Sequence, residues 1–382
     1  MRIALITDGL HPYVMGGMQR HSSMLVQHLA THGVKLVVFH TAHSESAIAA
    51  AKALDGRSGA VKAKVEHVFV EYPERGRLAG HYIRDSFQYS QRLLEAYRAQ
   101  GGEFDFIYAQ GLTGRAFIEA KRNGMVLPPI GVNCHGYEMF QRAANLKEKL
   151  QHWMLRPTFR KLTLGADFVF SFSGKIREIV EYRIGVPAAK IIQVPNAVDV
   201  SWLRAAPSPV TSKLKFVFLG RYERRKGIEE LHAVLGAMVE PAFEFHFIGP
   251  IPSEKQLSAS WIYYHGSISD SSQLIALLDA ADILVCPSHA EGMPTVILEA
   301  MARGLAIVAT DVGATRELVD DENGQLIPKL TIEVLQSALL AMSALSDEDL
   351  DAMKSASLSR VSNYSWEQVS LDTLNSIEGV LL

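Results

Sequence analysis

Cysteine is scarce in this sequence of 382 residues, which contains only Cys134 and Cys286. Two distant cysteines form neither a disulfide framework nor the paired spacing of a zinc site, and this excludes the disulfide-rich secreted class. Long apolar runs are missing too, because stretches such as "ADILVC" and "GLAIVAT" are far too short to cross a bilayer. We therefore expect a cytoplasmic protein in a reduced setting.

An excess of charge of one sign is also absent. The net charge of -3 gives no electrostatic reason to expect a nucleic-acid partner. Neither a "GxGxxG" after the first strand nor a "GxxxxGK[ST]" occurs, which argues against dinucleotide oxidoreductases and P-loop enzymes. No Asp-x-Asp pair follows a predicted strand, so basic residues rather than a bound metal are the expected partners of any phosphate.

Apolar residues make up 48% of the chain, and they occur in short runs between amphipathic segments. Such runs are typical of parallel strands that are buried on both faces. The series breaks at residues 195–213, which contain three prolines, and restarts afterwards. The length and this break predict an α/β protein with two doubly wound, Rossmann-like domains. Because ligands bind beyond the carboxyl ends of such strands, a cleft between the domains is expected.

Several polar residues follow the predicted strands directly. His135 does so in the first half, and "GRYERRKG" brings Arg221 and Lys226 to a strand end in the second. The pair Gly16-Gly17 falls between the first predicted strand and the helix after it. Positive side chains before a helix suit a diphosphate, and glycines let backbone amides approach an anion. Each motif also has a purely structural interpretation. His135 could be a structural hydrogen-bonding residue, Gly16-Gly17 a flexible turn, and the basic run a solvated turn. We assign Arg224 and Arg225 to the solvated turn.

The stretch "SHAEGMPTVILEAMARG" places two glutamates eight residues apart. Glu291 lies in a Gly/Pro turn, and Glu299 lies in the following helix, for which Thr295 is the predicted N-cap. Glu299 could simply stabilise the helix, because a carboxylate on a solvated face of the first turns interacts favourably with the helix dipole. Its neighbours are apolar, however, and a buried carboxylate needs partners such as sugar hydroxyls. The pair therefore indicates a ligand with polar groups along its length.

Taken in order along the chain, these motifs resemble those of family 4 of the retaining, nucleotide-sugar-dependent glycosyltransferases, which have the GT-B fold. The similar segments cover nearly the whole chain: "GGMQRHSSMLVQHLATHGVKLVVF", "CHG", "IIQVPNAVD", "GRYERRKG", "PSHAEGMPTVILEAMARGLAIVATDVGATRELVDDENGQLI" and "YSWEQV". The resemblance implies an N-terminal acceptor-binding domain over residues 1–197 and a donor-binding domain over residues 198–363. It also implies that a C-terminal helix, residues 364–382, crosses back to the N-terminal domain.

The resemblance further implies a role for each matching residue. Arg221 and Lys226 would bind the donor diphosphate and stabilise the leaving group without a metal, and Glu299 would hold the ribose. Glu291 and His135 would contact the transferred sugar. The implied catalytic residues are His135, Arg221, Lys226 and Glu291. The implied donor-binding residues are Gly16, Gly17, Arg221, Lys226, Glu291, Gly292, Met293, Pro294, Thr295 and Glu299.

The expected reaction is the transfer of a hexosyl unit from a nucleotide-diphospho-sugar to a hydroxyl acceptor with retention. No cofactor is expected, and a UDP- or GDP-sugar is the expected substrate. A sugar-nucleotide epimerase of the same fold is the alternative enzyme. A non-catalytic nucleotide-sugar-binding module would be expected to lack one of the charged site residues, and this chain has all of them.

The acceptor is expected to be a glycan, a lipid-linked saccharide or a small molecule. Residues 140–162, from Phe140 to Leu162, mix basic residues with Trp153, Met154 and Leu155. Such a segment predicts a basic amphipathic helix that could touch the inner face of an anionic membrane. The alternative is a helix that packs on the N-terminal domain and exposes a basic face.

Overall fold

The structure is a computed structural model that describes residues 1–14, 17–42, 65–74, 76, 80–210 and 213–382. Gly16 therefore lies outside the described residues. The described chain forms two all-parallel β-sheets, each flanked by helices. This arrangement confirms the predicted α/β class with two doubly wound units. We call them the N-terminal lobe and the C-terminal lobe.

The sheet of the N-terminal lobe has seven strands in the order β3-β2-β1-β4-β5-β6-β7. Their bounds are β1 (Arg2–Ile6), β2 (Lys35–His40), β3 (Val65–Phe69), β4 (Phe106–Gln110), β5 (Ile130–Asn133), β6 (Phe168–Ser171) and β7 (Ile191–Gln193). The central strands are buried along almost their whole length. Helices cover both faces of a doubly wound parallel sheet, so continuous apolar runs rather than alternating ones are the sequence signal.

The sheet of the C-terminal lobe has six strands in the order β10-β9-β8-β11-β12-β13. They are β8 (Leu214–Leu219), β9 (Phe243–Ile248), β10 (Ile262–Tyr264), β11 (Ile283–Cys286), β12 (Ala306–Thr310) and β13 (Gly324–Ile327). Between the two sheets, Gln193 ends β7 and Leu214 begins β8. The predicted domain limit at residues 197 and 198 falls in this connection and stays a prediction.

Helices connect the strands in both lobes. Those of the N-terminal lobe are α1 (Gly17–Thr31), α2 (His81–Gln100), α3 (Arg115–Arg122), α4 (Leu146–Gly165) and α5 (Gly174–Glu178), which continues as a π-helix over Ile179–Ile184. Those of the C-terminal lobe are α6 (Ile228–Gly236), α7 (Ser271–Asp279), α8 (Thr295–Ala302), α9 (Ile332–Ser343) and α10 (Asp347–Val361). No described helix has both the length and the apolar character that a membrane span requires.

The last helix, α11 (Trp366–Leu381), returns to the N-terminal lobe. Its buried face, which includes Trp366 and Ile377, shares one apolar core with Leu25 and Leu29 of α1. The predicted crossover is therefore confirmed. The return begins at a parallel bridge between Val198 and Ser365, so the two chain passages between the lobes lie side by side.

Two strands and one helix boundary were not predicted correctly. The prediction missed β3 and β13, the edge strands on one side of each sheet. Strand β3 is only partly buried, and β13 opens with a glycine, which weakens the apolar signal. Thr295 is the first residue of α8 rather than its N-cap, which is Pro294 without a side-chain cap. Proline fits this boundary because its missing N–H needs no helical partner there.

Trp366 offers a test of the crossover. Its side chain is buried and lies with its ring centroid 5.0 Å from that of His21 on α1. We expect Trp366→Ala to cost ~3–5 kcal/mol, because it removes a large buried ring from the contact between α11 and α1. Thermal unfolding followed by circular dichroism measures this effect. Trp153→Ala is the control, since Trp153 is 69% exposed; equal losses in both variants would contradict the docking.

Candidate active site

A cavity of about 710 Å³ lies between the carboxyl ends of the two sheets. The N-terminal lobe contributes the first residues of α1 and the turns after β4 and β5, including Gly17 and His135. The C-terminal lobe contributes the turn after β8, with Arg221 and Lys226, and the segment from Glu291 to Val296. Ten of the predicted site residues are described, and nine of these line the cavity. The exception is Glu299.

Glu291 is a buried carboxylate with three side-chain partners, and only 6% of the residue is exposed. Its Oε1 accepts from Lys226 Nζ at 2.6 Å and from Ser288 Oγ at 2.7 Å. Its Oε2 lies 3.2 Å from Arg225 Nη1. Burial acts to raise the pKa of Glu291, but Lys226 and Arg225 outweigh this effect and hold the pKa below its usual value. Glu291 is thus a buried carboxylate that stays ionised.

The prediction that Arg225 lies in a solvated turn is wrong. Its guanidinium donates to the carbonyl of Ala290 at 2.9 Å and reaches Glu291, and its side chain lines the cavity. The turn over Arg224–Lys226 is a single 3-10 turn, so neighbouring side chains leave it in different directions. Arg224 turns away from the cavity, towards Glu230 and His289.

Arg221 occupies the rim of the cavity. Its side chain is 73% exposed, and it forms an ion pair with Glu223 at 2.9 Å. The side chain of Lys226, by contrast, is mostly buried beside Glu291. The two predicted diphosphate ligands therefore reach the cavity from different depths, and Arg221 is the one that a ligand can engage without breaking a buried ion pair.

Gly292 brings the two lobes into backbone contact. A Cβ on this residue would stand 2.2 Å from the backbone oxygen of His135, so only glycine permits the approach. The amide of Gln141 in the N-terminal lobe bonds both the backbone N–H and the carbonyl of Glu291. Met293 also joins the lobes, because its carbonyl accepts from Asn196 Nδ2 at 2.6 Å. Pro294 and Thr295 follow at the start of α8 and line the cavity.

His135 has a left-handed backbone with φ of 57°. Its N–H is held by Asn133 Oδ1 at 2.9 Å, and its ring packs edge-on against His21 with centroids 4.9 Å apart. Burial first, and the nearby His21 second, keep the pKa of His135 well below its usual value. The imidazole is therefore neutral at physiological pH.

Glu299 lies one turn into α8, behind the residues that line the cavity. Arg20 of α1 is its ionic partner, at 3.5 Å, and burial raises the pKa of Glu299 to about 7. This carboxyl is thus close to half protonated at neutral pH. It is held far less tightly than Glu291.

Gly17 begins α1 and lines the cavity. Among the described residues, no atom lies within 4 Å of the position that a Cβ would take, other than atoms of adjoining residues and of the helix backbone. This geometry is compatible with the close approach of a ligand to the backbone.

Sequence reasoning missed Arg225, Ser288, Gln110 and Gln141. Arg225 carries a weak signal, since it stands between Arg221 and Lys226 in one motif. Gln110 also carries a weak signal, because it ends a buried strand at the edge where His135 lies. Gln141 carries none, because its partner Glu291 is 150 residues away in the chain.

Comparisons with known proteins identify the fold and the family. Residues 15–202 match the family model described as Glycosyltransferase Family 4, and residues 213–344 match the model Glycosyl transferases group 1. One relative is the protein named "Putative colanic acid biosynthesis glycosyltransferase WcaL" of Escherichia coli. It is 26% identical over 268 residues, which are 64% of this chain and 63% of that protein. A phosphatidyl-myo-inositol mannosyltransferase of Mycolicibacterium smegmatis is 32% identical over 204 residues, 50% of this chain and 52% of that protein. The chain thus spans between half and two thirds of the length of these relatives.

Two solved structures share the arrangement of both lobes. Sucrose-phosphate synthase from Thermosynechococcus elongatus superposes with a TM-score of 0.76 at 18% identity, covering 99% of this chain and 98% of that one. The Anabaena protein HepE in complex with UDP-glucose superposes with a TM-score of 0.67 at 16% identity, covering 99% and 100%. Together, the two family matches and the shared architecture show that this chain belongs to family 4 of the glycosyltransferases and has the GT-B fold.

Proposed function

We propose that this protein transfers a hexosyl unit from a nucleotide-diphospho-sugar to a hydroxyl acceptor, with retention and without a metal. The observation that carries the proposal is the group of three cations, Arg221, Arg225 and Lys226, beside one cavity with the ionised Glu291. A diphosphate needs such counter-charge when it leaves. Anabaena HepE, which shares the fold, was solved with UDP and with UDP-glucose, and this supports a nucleotide-sugar donor.

The donor would lie along the C-terminal lobe. Its ribose would meet Glu299, and its diphosphate would meet Arg221, Lys226 and the open N-terminus of α8. The transferred sugar would lie between Glu291 and His135, with the backbone amides from Gly292 onwards beside it. Gly17 would flank the diphosphate and the acceptor.

In the proposed reaction the acceptor hydroxyl attacks the anomeric carbon on the face from which the diphosphate leaves. The bond from the anomeric carbon to the phosphate oxygen breaks as the new glycosidic bond forms. The acceptor proton passes to the departing phosphate oxygen, so no strong side-chain base is needed. The cations stabilise the charge that develops on the leaving group, and the two lobes supply the positioning.

The alternative, an epimerase of the same fold, would need acid and base groups around the sugar and no acceptor. The family match favours transfer, since the relatives are named as glycosyltransferases. In practice the two reactions differ in their products: an epimerase converts the nucleotide sugar alone, whereas a transferase releases free nucleoside diphosphate when an acceptor is present.

A ligand screen followed by a transfer assay tests the proposed function. We expect one of UDP, GDP, ADP and dTDP, and its matching sugar nucleotide, to raise the melting temperature in proportion to RT ln(1 + [L]/Kd). Transfer of radiolabelled sugar to acceptors in a membrane extract should then persist in excess chelator. Activity that disappears with chelator and returns with magnesium would contradict the metal-free site.

Lys226→Met tests the charge at the diphosphate. We expect kcat to fall by roughly 10²–10³, because one preorganised positive donor to the leaving group is lost. Lys255→Met is the control, since Lys255 is an exposed lysine of the same lobe. Unchanged turnover in a folded Lys226→Met variant would remove this lysine from the mechanism.

Glu299→Gln tests the ribose contact through pH. The ionised carboxylate accepts both ribose hydroxyls, so donor affinity of the wild type should rise from pH 6 to pH 8, through the pKa of about 7. The variant should bind roughly 10–100-fold more weakly at pH 8, because a charge-assisted acceptor is lost, and should lack this pH dependence.

The same substitution should raise the stability of the folded protein at high pH, although it weakens donor binding there. Between pH 4.5 and about 7 the folded protein keeps a proton that the unfolded chain has released, so Glu299 costs stability as pH rises through this window. The melting temperature of Glu299→Gln should therefore exceed that of the wild type at pH 8, and the two should be equal at pH 4. Glu254→Gln, at an exposed site of the same lobe, is the control.

We also propose that helix α4 contacts an anionic membrane from the cytoplasmic side. Three apolar side chains on successive turns, Leu146, Leu150 and Trp153, are 83%, 59% and 69% exposed. Basic residues flank this face: Lys147, Lys149, Arg160 and Lys161 are exposed. The helix is anchored to the lobe through Phe159 and Leu162, which are buried at its other end. An exposed apolar face with a basic border suits the surface of a bilayer with acidic lipids, where a lipid-linked acceptor would be found.

Vesicle sedimentation tests this contact. The protein should sediment with vesicles that contain phosphatidylglycerol and much less with pure phosphatidylcholine. Trp153→Glu should abolish sedimentation, because a carboxylate replaces an exposed ring on the proposed contact face. The matched control is Val239→Glu, since Val239 is a 91% exposed apolar residue in the other lobe. Equal binding of both variants would refute the contact through α4.

A further inference from the structure

Gln110 connects α1 to His135 through a buried chain of hydrogen bonds. It is the last residue of β4, and only 1% of it is exposed. Its Nε2 donates to Ser22 Oγ at 3.1 Å, and its Oε1 lies at hydrogen-bond distance from His135 Nε2. Neither Gln110 nor Ser22 belongs to the residue set of the proposed function.

The direction of each hydrogen bond in this chain follows from the supply of protons. Ser22 Oγ has one proton, and it lies 3.0 Å from the carbonyl of Met18, which can only accept. With that proton donated, Ser22 Oγ accepts from Gln110, so the amide nitrogen of Gln110 faces the serine. The amide oxygen then faces His135 Nε2, and this nitrogen must carry the proton of the neutral ring.

The ring of His135 has little freedom to adopt another arrangement. His21 packs against it at 4.9 Å and Phe172 at 5.7 Å between ring centroids, and the backbone N–H of His135 is held by Asn133. No hydrogen bond joins His21 to His135 or Gln110 among the described residues, so His21 packs against the ring without competing for the proton at Nε2. Gln110 is then the polar group that selects the tautomer.

We propose that Gln110 is a positioning residue that holds His135 as the Nε2–H tautomer, so that Nδ1 accepts a hydrogen bond from a hydroxyl of the transferred sugar. This inference rests on the proposed function for the identity of the ligand. Nδ1 has no hydrogen-bond partner within the described part of the chain, and His135 lines the cavity. Phosphate oxygens that carry no proton cannot donate to a nitrogen lone pair, whereas a sugar hydroxyl can. His135 therefore recognises the sugar and not the diphosphate.

The tautomer can be measured without any ligand. Long-range ¹H–¹⁵N correlation spectra of the full chain, with ¹⁵N in the histidine rings, separate the two neutral tautomers. His135→Gln identifies the signals of this ring among the 14 histidines. We expect the wild type to show His135 protonated at Nε2 alone. A wild-type ring protonated at Nδ1 would overturn the inference, whatever becomes of the proposed function.

Ligand binding tests the sugar contact. Gln110→Met keeps the length of the side chain but removes the acceptor, so both tautomers should be populated. We expect Kd for UDP-glucose, or for the sugar nucleotide that the screen selects, to rise roughly three- to tenfold, with Kd for the free nucleoside diphosphate unchanged. Equal weakening of both ligands would overturn the assignment to the sugar. Unchanged binding of both ligands to the variant would overturn it as well.

Gln27→Met is the matched control, since Gln27 is an exposed glutamine on the same helix as Ser22. It should change neither affinity. The two proposals fail in different ways. A chain that binds no nucleotide sugar at all refutes the proposed donor while leaving the tautomer measurement intact.

Discussion

The buried carboxylate of Glu291 is the interaction on which the site depends. Removing an ionised carboxylate from water is costly, and here two cations and one hydroxyl compensate for that cost. The backbone N–H and carbonyl of the same residue form hydrogen bonds with the side-chain amide of Gln141 in the opposite lobe. Its neighbour Gly292 touches the backbone of His135. Glu291 and Gly292 therefore carry both the ion pairs of the cavity and the contact between the two lobes.

The two walls of the cavity differ in charge. The C-terminal lobe presents Arg221, Arg225 and Lys226, whereas the N-terminal lobe presents His135 and His21, whose pKa values are lowered by burial. The N-terminal lobe also presents two carboxyl groups, Asp8 and Glu138, and burial raises the pKa of both. A ligand that lies across the cleft therefore meets a group of cations on one wall and, on the other, groups whose charged forms are disfavoured by burial. This asymmetry supports the proposed donor, which carries a charged diphosphate and an uncharged sugar.

The sequence allowed the fold to be predicted in outline because its signals are local. Apolar runs gave the central strands, and the motifs at their ends gave nine residues that the structure gathers around one cavity. The prediction failed where the direction of a side chain, or a partner far along the chain, decides its role. Arg225 faces the cavity because of the 3-10 turn that carries it, and the charge pattern alone does not reveal the direction of each side chain. Gln110 and Gln141 act through partners far along the chain, which no periodicity encodes.

The return of α11 to the N-terminal lobe affects the order in which the protein is completed. A ribosome releases the N-terminal lobe first, but the apolar face of α1 is covered by α11, which is made after the whole C-terminal lobe. Until then Leu25 and Leu29 have no cover from Trp366 and Ile377. The first lobe to emerge is thus the last to close its core, and the nascent chain must keep that face from aggregating during the synthesis of the whole second lobe.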